Sequence, residues 1–202
     1  VLHKFHHAPV LVQRWRDSVE HWHVALLAEH VASWVATVPP GYIAADVTAE
    51  GAPKAIVDKA IAAFGRLDIL VNNAGSFNFG PVDATTDEML DEVLAISARA
   101  PFRLSREALA HMGTGSSIIF IGSTWGIYGT PGGGAYSFVK AGQIGLVQTM
   151  AAEYGARGIR SNYIAPTVVR TEMTDAYWEL DFFKRTNFEL TPADRQCTVE
   201  DV

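Results

Sequence analysis

The sequence predicts an α/β fold in which helices cover a parallel β-sheet. From about Gly41 onward, short apolar runs alternate with longer amphipathic segments, as strands and helices do in such a sheet. The first of the short runs carries almost no polar residue, which is typical of a strand buried on both faces. A length of 202 residues suits one domain with a sizeable core. We therefore expect a single domain over residues 1–202.

The strands and helices can be placed in order. Two apolar runs predict strands at residues 67–71 and 117–121, and residues 159–165 predict a third strand. Helical periodicity predicts helices at residues 51–64, 87–109 and 135–154, with a kink or break in the second at Pro101. Gly65 follows the first helix as a stop signal, and a glycine-rich loop at residues 126–134 precedes the third. Residues 171–202 have no strong period and predict a helical lid or an irregular flap, with the substrate flap at residues 171–194.

Composition and charge exclude several classes of function. The formal net charge is −6 and no basic stretch is present, so we expect no nucleic-acid partner. No apolar run approaches the roughly 18–20 residues that cross a bilayer, so we expect no membrane partner. The single cysteine, Cys197, fits a reducing compartment, and the first residues lack the apolar core of a secretion signal. These features predict a cytoplasmic protein.

The strongest chemical pattern joins Ser123, Tyr136 and Lys140. The tyrosine and the lysine are four residues apart on a predicted helix, so their side chains share one face. An ammonium beside a phenol favours the phenolate and lowers its pKa from about 10, which suits a general acid or base near neutral pH. Ser123 follows a predicted strand, at the sheet edge where α/β folds carry their sites, and its hydroxyl could hold a substrate oxygen. The alternative is a surface tyrosine beside a solvated lysine.

A second pattern, Asn-Asn-Ala-Gly at residues 72–75, follows the first predicted strand. Small residues and Gly75 let the backbone approach a flat ligand closely, and an asparagine can hold the turn through its own backbone. The alternative is a plain turn that ends a strand.

Taken in this order, the motifs resemble the classical short-chain dehydrogenase/reductase family. The resemblance covers about residues 42–202. Further segments that resemble the family are Asp46-Val47, residues 64–71, residues 158–166, Val169 with Thr171, and residues 195–202.

The resemblance implies a Rossmann-like, doubly wound parallel sheet with helices on both faces. It implies an oxidoreductase that uses NAD or NADP to interconvert a secondary alcohol and a ketone, with a small alcohol or carbonyl compound as substrate. It also implies a homo-oligomer, either a tetramer or a dimer. The resemblance also implies a role for each residue of the site. Tyr136 is the general acid/base, and Lys140 lowers the pKa of Tyr136 and binds the nicotinamide ribose. Ser123 orients the substrate oxygen. The residues expected at the cofactor are Asp46, Val47, Asn73, Ala74, Gly75, Tyr136, Lys140, Pro166, Val169 and Thr171.

The sequence departs from the family at three places. The position of the family's catalytic asparagine holds Ser97, whose shorter side chain lacks the paired groups of an amide. The family's Pro-Gly has become Pro166-Thr167. Residues 1–45 contain no glycine-rich phosphate turn, and the chain ends before the family's closing strand.

The anomalous first 45 residues suggest a shifted reading frame. Codons for residues 12–23 that end mostly in G or C can, read two nucleotides later, give Gly-Leu-Gly-Arg-Ala-Leu-Ala, which resembles the missing turn and first helix. An intact frame in the gene would refute this hypothesis. The alternative of a metal site at His21, His23 and His30 is weak, because residues two apart do not share a helical face and no carboxylate or cysteine completes a ligand set; we expect no metal.

Two other functions remain open alongside the oxidoreductase. One is a non-catalytic relative with a degraded cofactor site, favoured by Ser97 and the missing turn but not by the complete set of Ser123, Tyr136 and Lys140. The other is a dehalogenase-like relative; such proteins replace the lysine with arginine, so Lys140 argues against it. In the flap, Trp178, Phe182 and Phe183 favour an apolar or ring-bearing substrate, unless they pack against the core or a partner subunit.

Overall fold

The computed structural model describes residues 45–169, 171, 174, 177–185 and 187, apart from the side chain of Phe182. The interpretations of residues 1–44, including the shifted frame and the three histidines, lie outside these residues. So do the match at residues 195–202 and much of the predicted flap.

Three parallel strands form one sheet in the order β1-β2-β3. They are β1 (Ile69–Asn72), β2 (Ser117–Ile121) and β3 (Arg160–Ile164). Leu70 lies opposite Ile118, which in turn lies opposite Ser161. The three predicted strands are confirmed, although β1 begins at Ile69 rather than at residue 67. Because the strands are parallel, their carboxyl ends meet at one edge of the sheet.

Helices precede, separate and follow the strands along the chain. They are α1 (Ala52–Phe64), α2 (Asp87–Leu94), α3 (Ala100–Leu109), α4 (Gly134–Tyr154) and the short α5 (Asp181–Lys184). Gly65 ends α1 in the left-handed conformation, with φ 71°, and its N–H donates to Ile61 O at 2.8 Å. The predicted stop is therefore confirmed, with the left-handed residue that glycine tolerates best.

The predicted kink or break near Pro101 is a π-helical turn, Ala95–Arg99, which joins α2 to α3. Proline has no N–H to donate to the carbonyl four residues earlier, and that carbonyl belongs to Ser97. The Ser97 carbonyl accepts from Gln143 Nε2 instead, at 2.6 Å. The irregular turn therefore frees a backbone acceptor that a side chain of α4 satisfies.

Two apolar clusters hold the described chain together. The larger lies between the sheet, α1, α3 and α4, where Ile56, Leu104, Ile118 and Phe120 are buried. The smaller one, called the aromatic cluster below, has Trp125, Trp178 and Phe183 at its centre; Phe77, Phe79, Tyr136, Val168 and Tyr177 pack against it. It lies beyond the carboxyl ends of the strands, on the side where Ser123 was predicted to act. Among the helices described, none is both long and apolar enough to cross a membrane.

Candidate active site

Tyr136 and Lys140 lie in the first two turns of α4. Their spacing puts both side chains on one face of the helix, and Lys140 Nζ lies 5.5 Å from the centre of the Tyr136 ring. The predicted pairing is therefore present in the structure.

Lys140 is buried, with 4% of its surface exposed. Its Nζ donates to the Ile121 carbonyl, the last of β2, at 2.9 Å. Burial disfavours the ammonium and lowers the pKa of Lys140 from 10.5 to about 8. A lysine held this way carries a proton that it can exchange near neutral pH.

Burial raises the pKa of Tyr136 to about 12. A side-chain hydrogen bond with Ser123 acts in the opposite direction, but it is the smaller effect. The expected lowering of this pKa by Lys140 is therefore wrong for the chain alone, because desolvation of the phenolate outweighs the effect of its neighbours. Tyr136 is a protonated phenol at neutral pH.

Ser123 follows β2 and caps a short 3₁₀ turn, Thr124–Gly126. Its Oγ accepts from Trp125 N at 3.1 Å, which leaves the hydroxyl proton available for donation. The side chains of Ser123 and Tyr136 are joined by a hydrogen bond, as the sequence predicts, and the ring centre of Trp125 lies 6.1 Å from that of Tyr136.

Gly75 and Ser97 complete the contacts around Lys140. A Cβ on Gly75 would lie 3.5 Å from Ser97 Oγ and 3.9 Å from Lys140 Nζ. Ser97 is fully buried, and its Oγ accepts from Ser76 N at 3.3 Å. Ser97 thus binds the backbone of the loop after β1, although it lacks the amide of the asparagine expected here.

Gln143 joins the same network from α4. Its Nε2 donates to the Ser97 carbonyl, while its buried Oε1 has no hydrogen-bond partner in the described part of the chain. An unsatisfied buried acceptor is uncommon, and it lies on the helix that carries Lys140, three residues further on.

The remaining residues of the Asn-Asn-Ala-Gly motif differ in their surroundings. Asn72 is buried at the end of β1, and its Nδ2 donates to Ser105 Oγ at 3.2 Å. Asn73 is exposed, and Ala74 packs against the larger cluster. The turn therefore offers Asn73 and Gly75 to a ligand, whereas Asn72 holds the turn to α3.

Asp46 and Val47 lie in a turn before α1. The Asp46 carboxylate accepts from Thr48 N at 2.9 Å and from Thr48 Oγ1 at 2.7 Å, and the Val47 side chain is buried in the larger cluster. Val47 can therefore offer a ligand only its backbone.

Pro166, Val169 and Thr171 follow β3. The Pro166 carbonyl accepts from Thr124 N at 3.0 Å, next to Ser123. The Thr174 hydroxyl lies 2.8 Å from the Val169 carbonyl, and the Thr171 N–H donates to Thr174 Oγ1 at 3.1 Å. Pro166 is thus hydrogen-bonded to the segment that follows Ser123, and the Thr174 side chain holds the backbone of Val169 and Thr171 in place.

The aromatic cluster covers Tyr136. The ring centre of Phe77 lies 5.1 Å from that of Tyr136 in an edge-to-face arrangement, and 5.3 Å from that of Tyr177. Trp178 and Phe183 of the predicted flap are buried in the cluster. Both side chains therefore pack against other apolar residues of the same chain. They also lie next to the site, because the ring centre of Phe183 is 6.4 Å from that of Trp125.

Sequence reasoning missed four residues that the structure places at the site: Phe77, Trp125, Gln143 and Tyr163. Phe77 and Trp125 had a signal, since each lies two residues after a predicted site residue, Gly75 or Ser123. Gln143 and Tyr163 had no such signal, because they contact residues far away in the sequence. Gln143 donates to the Ser97 carbonyl, 46 residues earlier, and the Tyr163 hydroxyl accepts from the N–H of Ser123, 40 residues earlier. Elsewhere in the described chain, no group of three His, Cys, Asp or Glu residues is arranged to hold a metal ion.

Comparisons with known proteins identify the family. The family described as enoyl-(acyl carrier protein) reductase matches residues 19–202. The 3-oxoacyl-[acyl-carrier-protein] reductase of Thermotoga maritima is 35% identical over 132 residues, which are 64% of this chain and 54% of that protein. A protein of Xanthobacter autotrophicus named inactive 2-(S)-hydroxypropyl-CoM dehydrogenase 2 is 35% identical over 184 residues, 87% of this chain and 78% of that protein.

The solved structures agree. A short-chain dehydrogenase from Burkholderia cenocepacia, solved in complex with NADP, superposes with a TM-score of 0.71 at 33% identity, over 79% of this chain and 64% of that one. This likeness confirms the predicted doubly wound, Rossmann-like parallel sheet with helices on both faces. The chain spans about half the length of the Thermotoga maritima relatives that it matches. By matched family, relatives and fold together, the chain belongs to the short-chain dehydrogenase/reductase family.

Proposed function

We propose that this protein is an NAD(P)-dependent oxidoreductase that interconverts a secondary alcohol and a ketone. The observation that carries the proposal is the buried Lys140, whose Nζ lies 5.5 Å from the ring of Tyr136. Burying an ammonium is unfavourable, so a site without chemistry has no physical reason to keep it. The Burkholderia cenocepacia relative, with NADP in its solved structure, supports the choice of cofactor.

The described residues fit a nicotinamide cofactor at the carboxyl edge of the sheet. A Cβ on Gly75 would come within 3.9 Å of Lys140 Nζ, so the glycine keeps backbone and lysine open to a flat ligand. We assign Asn73, Gly75, Lys140, Val169 and Thr171 to the nicotinamide half. Asp46 and the Val47 backbone are assigned to the adenine, with Ala74 and Pro166 supporting the groove. The cofactor supplies or takes up the hydride.

In the reducing direction, Tyr136 donates its proton to the oxygen of the substrate as the carbonyl carbon is reduced. The raised pKa of Tyr136 keeps this proton in place at neutral pH. A general acid is most efficient when its pKa lies near the operating pH, so the proposed mechanism needs a neighbouring charge to offset this shift as the phenolate forms. Ser123 donates its hydroxyl proton to the same oxygen and so holds the carbonyl beside the phenol. Lys140, with its pKa near 8, stabilises the phenolate that forms, and Ser97 holds the adjoining loop.

The aromatic cluster favours an apolar, ring-bearing ketone. Phe77 and Trp125 present their rings to Tyr136 at centre-to-centre distances of 5.1 and 6.1 Å. A flat ring that enters beside Tyr136 gains apolar burial and edge-to-face contacts from both. Phe77→Leu keeps the apolar volume and removes the ring, so it separates these two contributions.

The test is the reduction of acetophenone and of 2-butanone with NADH and with NADPH, by the wild type, Tyr136→Phe and Tyr128→Phe. Tyr128 is 55% exposed and serves as the matched control. We expect turnover in the wild type and the control, a loss of at least ~100-fold in Tyr136→Phe, and a higher kcat/KM for acetophenone that Phe77→Leu reduces. Equal activity of Tyr136→Phe and the wild type would refute the mechanism.

A second candidate, a non-catalytic domain with a degraded cofactor site, is favoured by Ser97. This buried serine stands where the family resemblance implies an asparagine, and the Xanthobacter autotrophicus relative is named inactive. Fluorescence titration with NADH and NADPH separates the two candidates. A folded chain that binds neither cofactor and turns over neither ketone would favour the non-catalytic reading.

We also propose a homo-oligomer, a dimer or a tetramer, that buries the outer faces of α3 and α4. The family resemblance implies an oligomer, and Phe102 on α3 and Phe138 on α4, which are 51% and 65% exposed, are large apolar side chains that a second copy would cover. Light scattering after size exclusion measures the state directly, and Phe138→Glu should shift it toward the monomer.

A further inference from the structure

Tyr163, on β3, contacts the backbone of Ser123 through its hydroxyl. The Ser123 N–H donates to Tyr163 Oη at 2.8 Å, and the Tyr163 hydroxyl donates to the Ser123 carbonyl at 3.0 Å. One hydroxyl thus satisfies both backbone groups of one residue. These groups lie just beyond the end of β2, where the ladder to β3 no longer pairs them.

Two glycines make room for the Tyr163 ring. A Cβ on Gly122 would lie 1.8 Å from Tyr163 Cζ, and a Cβ on Gly126 would lie 2.6 Å from its hydroxyl oxygen. Neither distance is compatible with a side chain, so any other residue would move the ring. The glycines on either side of Ser123 and the tyrosine on the next strand therefore form one fitted unit.

The two bonds fix the orientation of Ser123. Its backbone is extended, with φ −164° and ψ 152°, and the side chain accepts from Trp125 N. Tyr163 holds the backbone of Ser123, and the Trp125 N–H occupies one lone pair of Ser123 Oγ. These contacts restrict the directions in which the Ser123 hydroxyl can donate its proton. Tyr136 lies close enough to bond with this hydroxyl.

We propose that Tyr163 is a positioning residue that holds the backbone of Ser123, so that the serine hydroxyl is aimed at the substrate oxygen beside Tyr136. The proposal rests on the proposed function, in which Ser123 orients that oxygen. Tyr163 itself need not touch the substrate. Its effect is on kcat, because a reacting group misplaced by about 1 Å can lose on the order of 100-fold in rate.

The first test is a double-mutant cycle on ketone reduction. Tyr163→Phe keeps the ring between the glycines and removes both bonds, and Tyr154→Phe at the end of α4 is the matched control. We expect Tyr163→Phe to lower kcat about 10- to 100-fold while the KM for NADPH stays within about twofold. In a Ser123→Ala background the same change should lower kcat by less than about twofold, because the group it positions is already absent.

The second test does not depend on turnover. The Ser123 N–H bonds to Tyr163 in the folded chain, so its amide hydrogen exchange reports this bond directly. We expect Tyr163→Phe to speed exchange at Ser123 at least about tenfold, with no change at Ile119 in the middle of β2.

The outcomes separate the two proposals. An unchanged kcat, an equal loss in the Ser123→Ala background, or a Ser123 amide that stays protected in Tyr163→Phe would each overturn the positioning role. A fall in cofactor affinity that matches the fall in kcat would show a general structural defect and would overturn it too. A wild type that reduces no ketone would instead refute the proposed function, and amide exchange alone would then decide whether Tyr163 holds Ser123.

Discussion

Replacing Lys140 with methionine removes a buried charge that the fold maintains at a cost in stability. The pKa of Lys140 falls from 10.5 to about 8, a drop of about 2.5 units, and one unit corresponds to about 1.4 kcal/mol. Burial of the ammonium therefore lowers the free energy of unfolding by about 3 kcal/mol at neutral pH. Methionine also leaves the Ile121 carbonyl without its 2.9 Å bond, which costs about 1–3 kcal/mol. Lys140→Met should thus be more stable than the wild type at pH 7, by up to about 2 kcal/mol, and inactive.

The pH dependence of this difference follows from the direction of the shift. Between pH 8 and 10.5 the unfolded chain still binds the lysine proton, whereas the folded chain has lost it. The unfolding free energy of the wild type therefore gains about 1.4 kcal/mol per pH unit relative to that of the variant. The advantage of Lys140→Met should shrink through this window and vanish before pH 10.5.

Urea unfolding at intervals from pH 6.5 to 10.5 measures both quantities. Lys59→Met, at an exposed position on α1, is the matched control and should change the unfolding free energy by less than about 0.5 kcal/mol. A Lys140→Met variant that is less stable than the wild type at pH 7, or that differs from it by a constant amount at every pH, would refute the reasoning.

Three further changes test other parts of the structure. Gly122→Ala should lower both stability and turnover, since its Cβ would lie 1.8 Å from Tyr163 Cζ; thermal melting and ketone reduction check this, and an unchanged melting temperature would contradict it. Thr86→Ala removes the cap of α2, where Thr86 Oγ1 accepts from a backbone N–H at 3.3 Å, and should lower the unfolding free energy by about 0.5–2 kcal/mol in urea, without changing kcat. In Gln143→Glu, a carboxyl group replaces the amide whose Nε2 lies 2.6 Å from the Ser97 carbonyl. Two acceptors at this distance repel each other unless one carries a proton, so we expect the folded protein to raise the pKa of the new carboxyl group. Stability of that variant should then fall as pH rises above about 4.3, and a urea series that parallels the wild type would argue against this contact.

The strands and most helices were predictable because their signals are local. The apolar runs that form β1 and β2 are four and five residues long, and their composition alone indicates burial. β3 carries Arg160 and Asn162 and has no fully buried side chain, so its composition gives no such signal. The spacing of Tyr136 and Lys140 is also local, so one helical turn brings them together before any tertiary contact forms. Ser123 needed only the further rule that parallel strands end at one edge of the sheet.

The electrostatics of the site were not predictable in the same way. Sequence spacing indicates that Lys140 lies near Tyr136, but not that both are enclosed by the sheet and the aromatic cluster. Enclosure sets the direction of both shifts: it lowers the pKa of the lysine to about 8 and raises that of the tyrosine to about 12. The expected lowering of the tyrosine pKa failed because burial is a property of the whole fold.

The turn at Ser97 shows how a local irregularity becomes part of the site. Pro101 is visible in the sequence and predicts a defect in the helix, and the missing N–H falls at the Ser97 carbonyl. What the sequence does not show is that Gln143, 46 residues further on, donates to that carbonyl, or that Ser97 Oγ binds the loop carrying Gly75. The proline therefore does more than interrupt a helix, because it frees a carbonyl through which α4 is tied to the loop after β1. Lys140 lies three residues before Gln143 on α4, so this tie fixes the distance from the lysine to Gly75, where the nicotinamide half of the cofactor is proposed to bind.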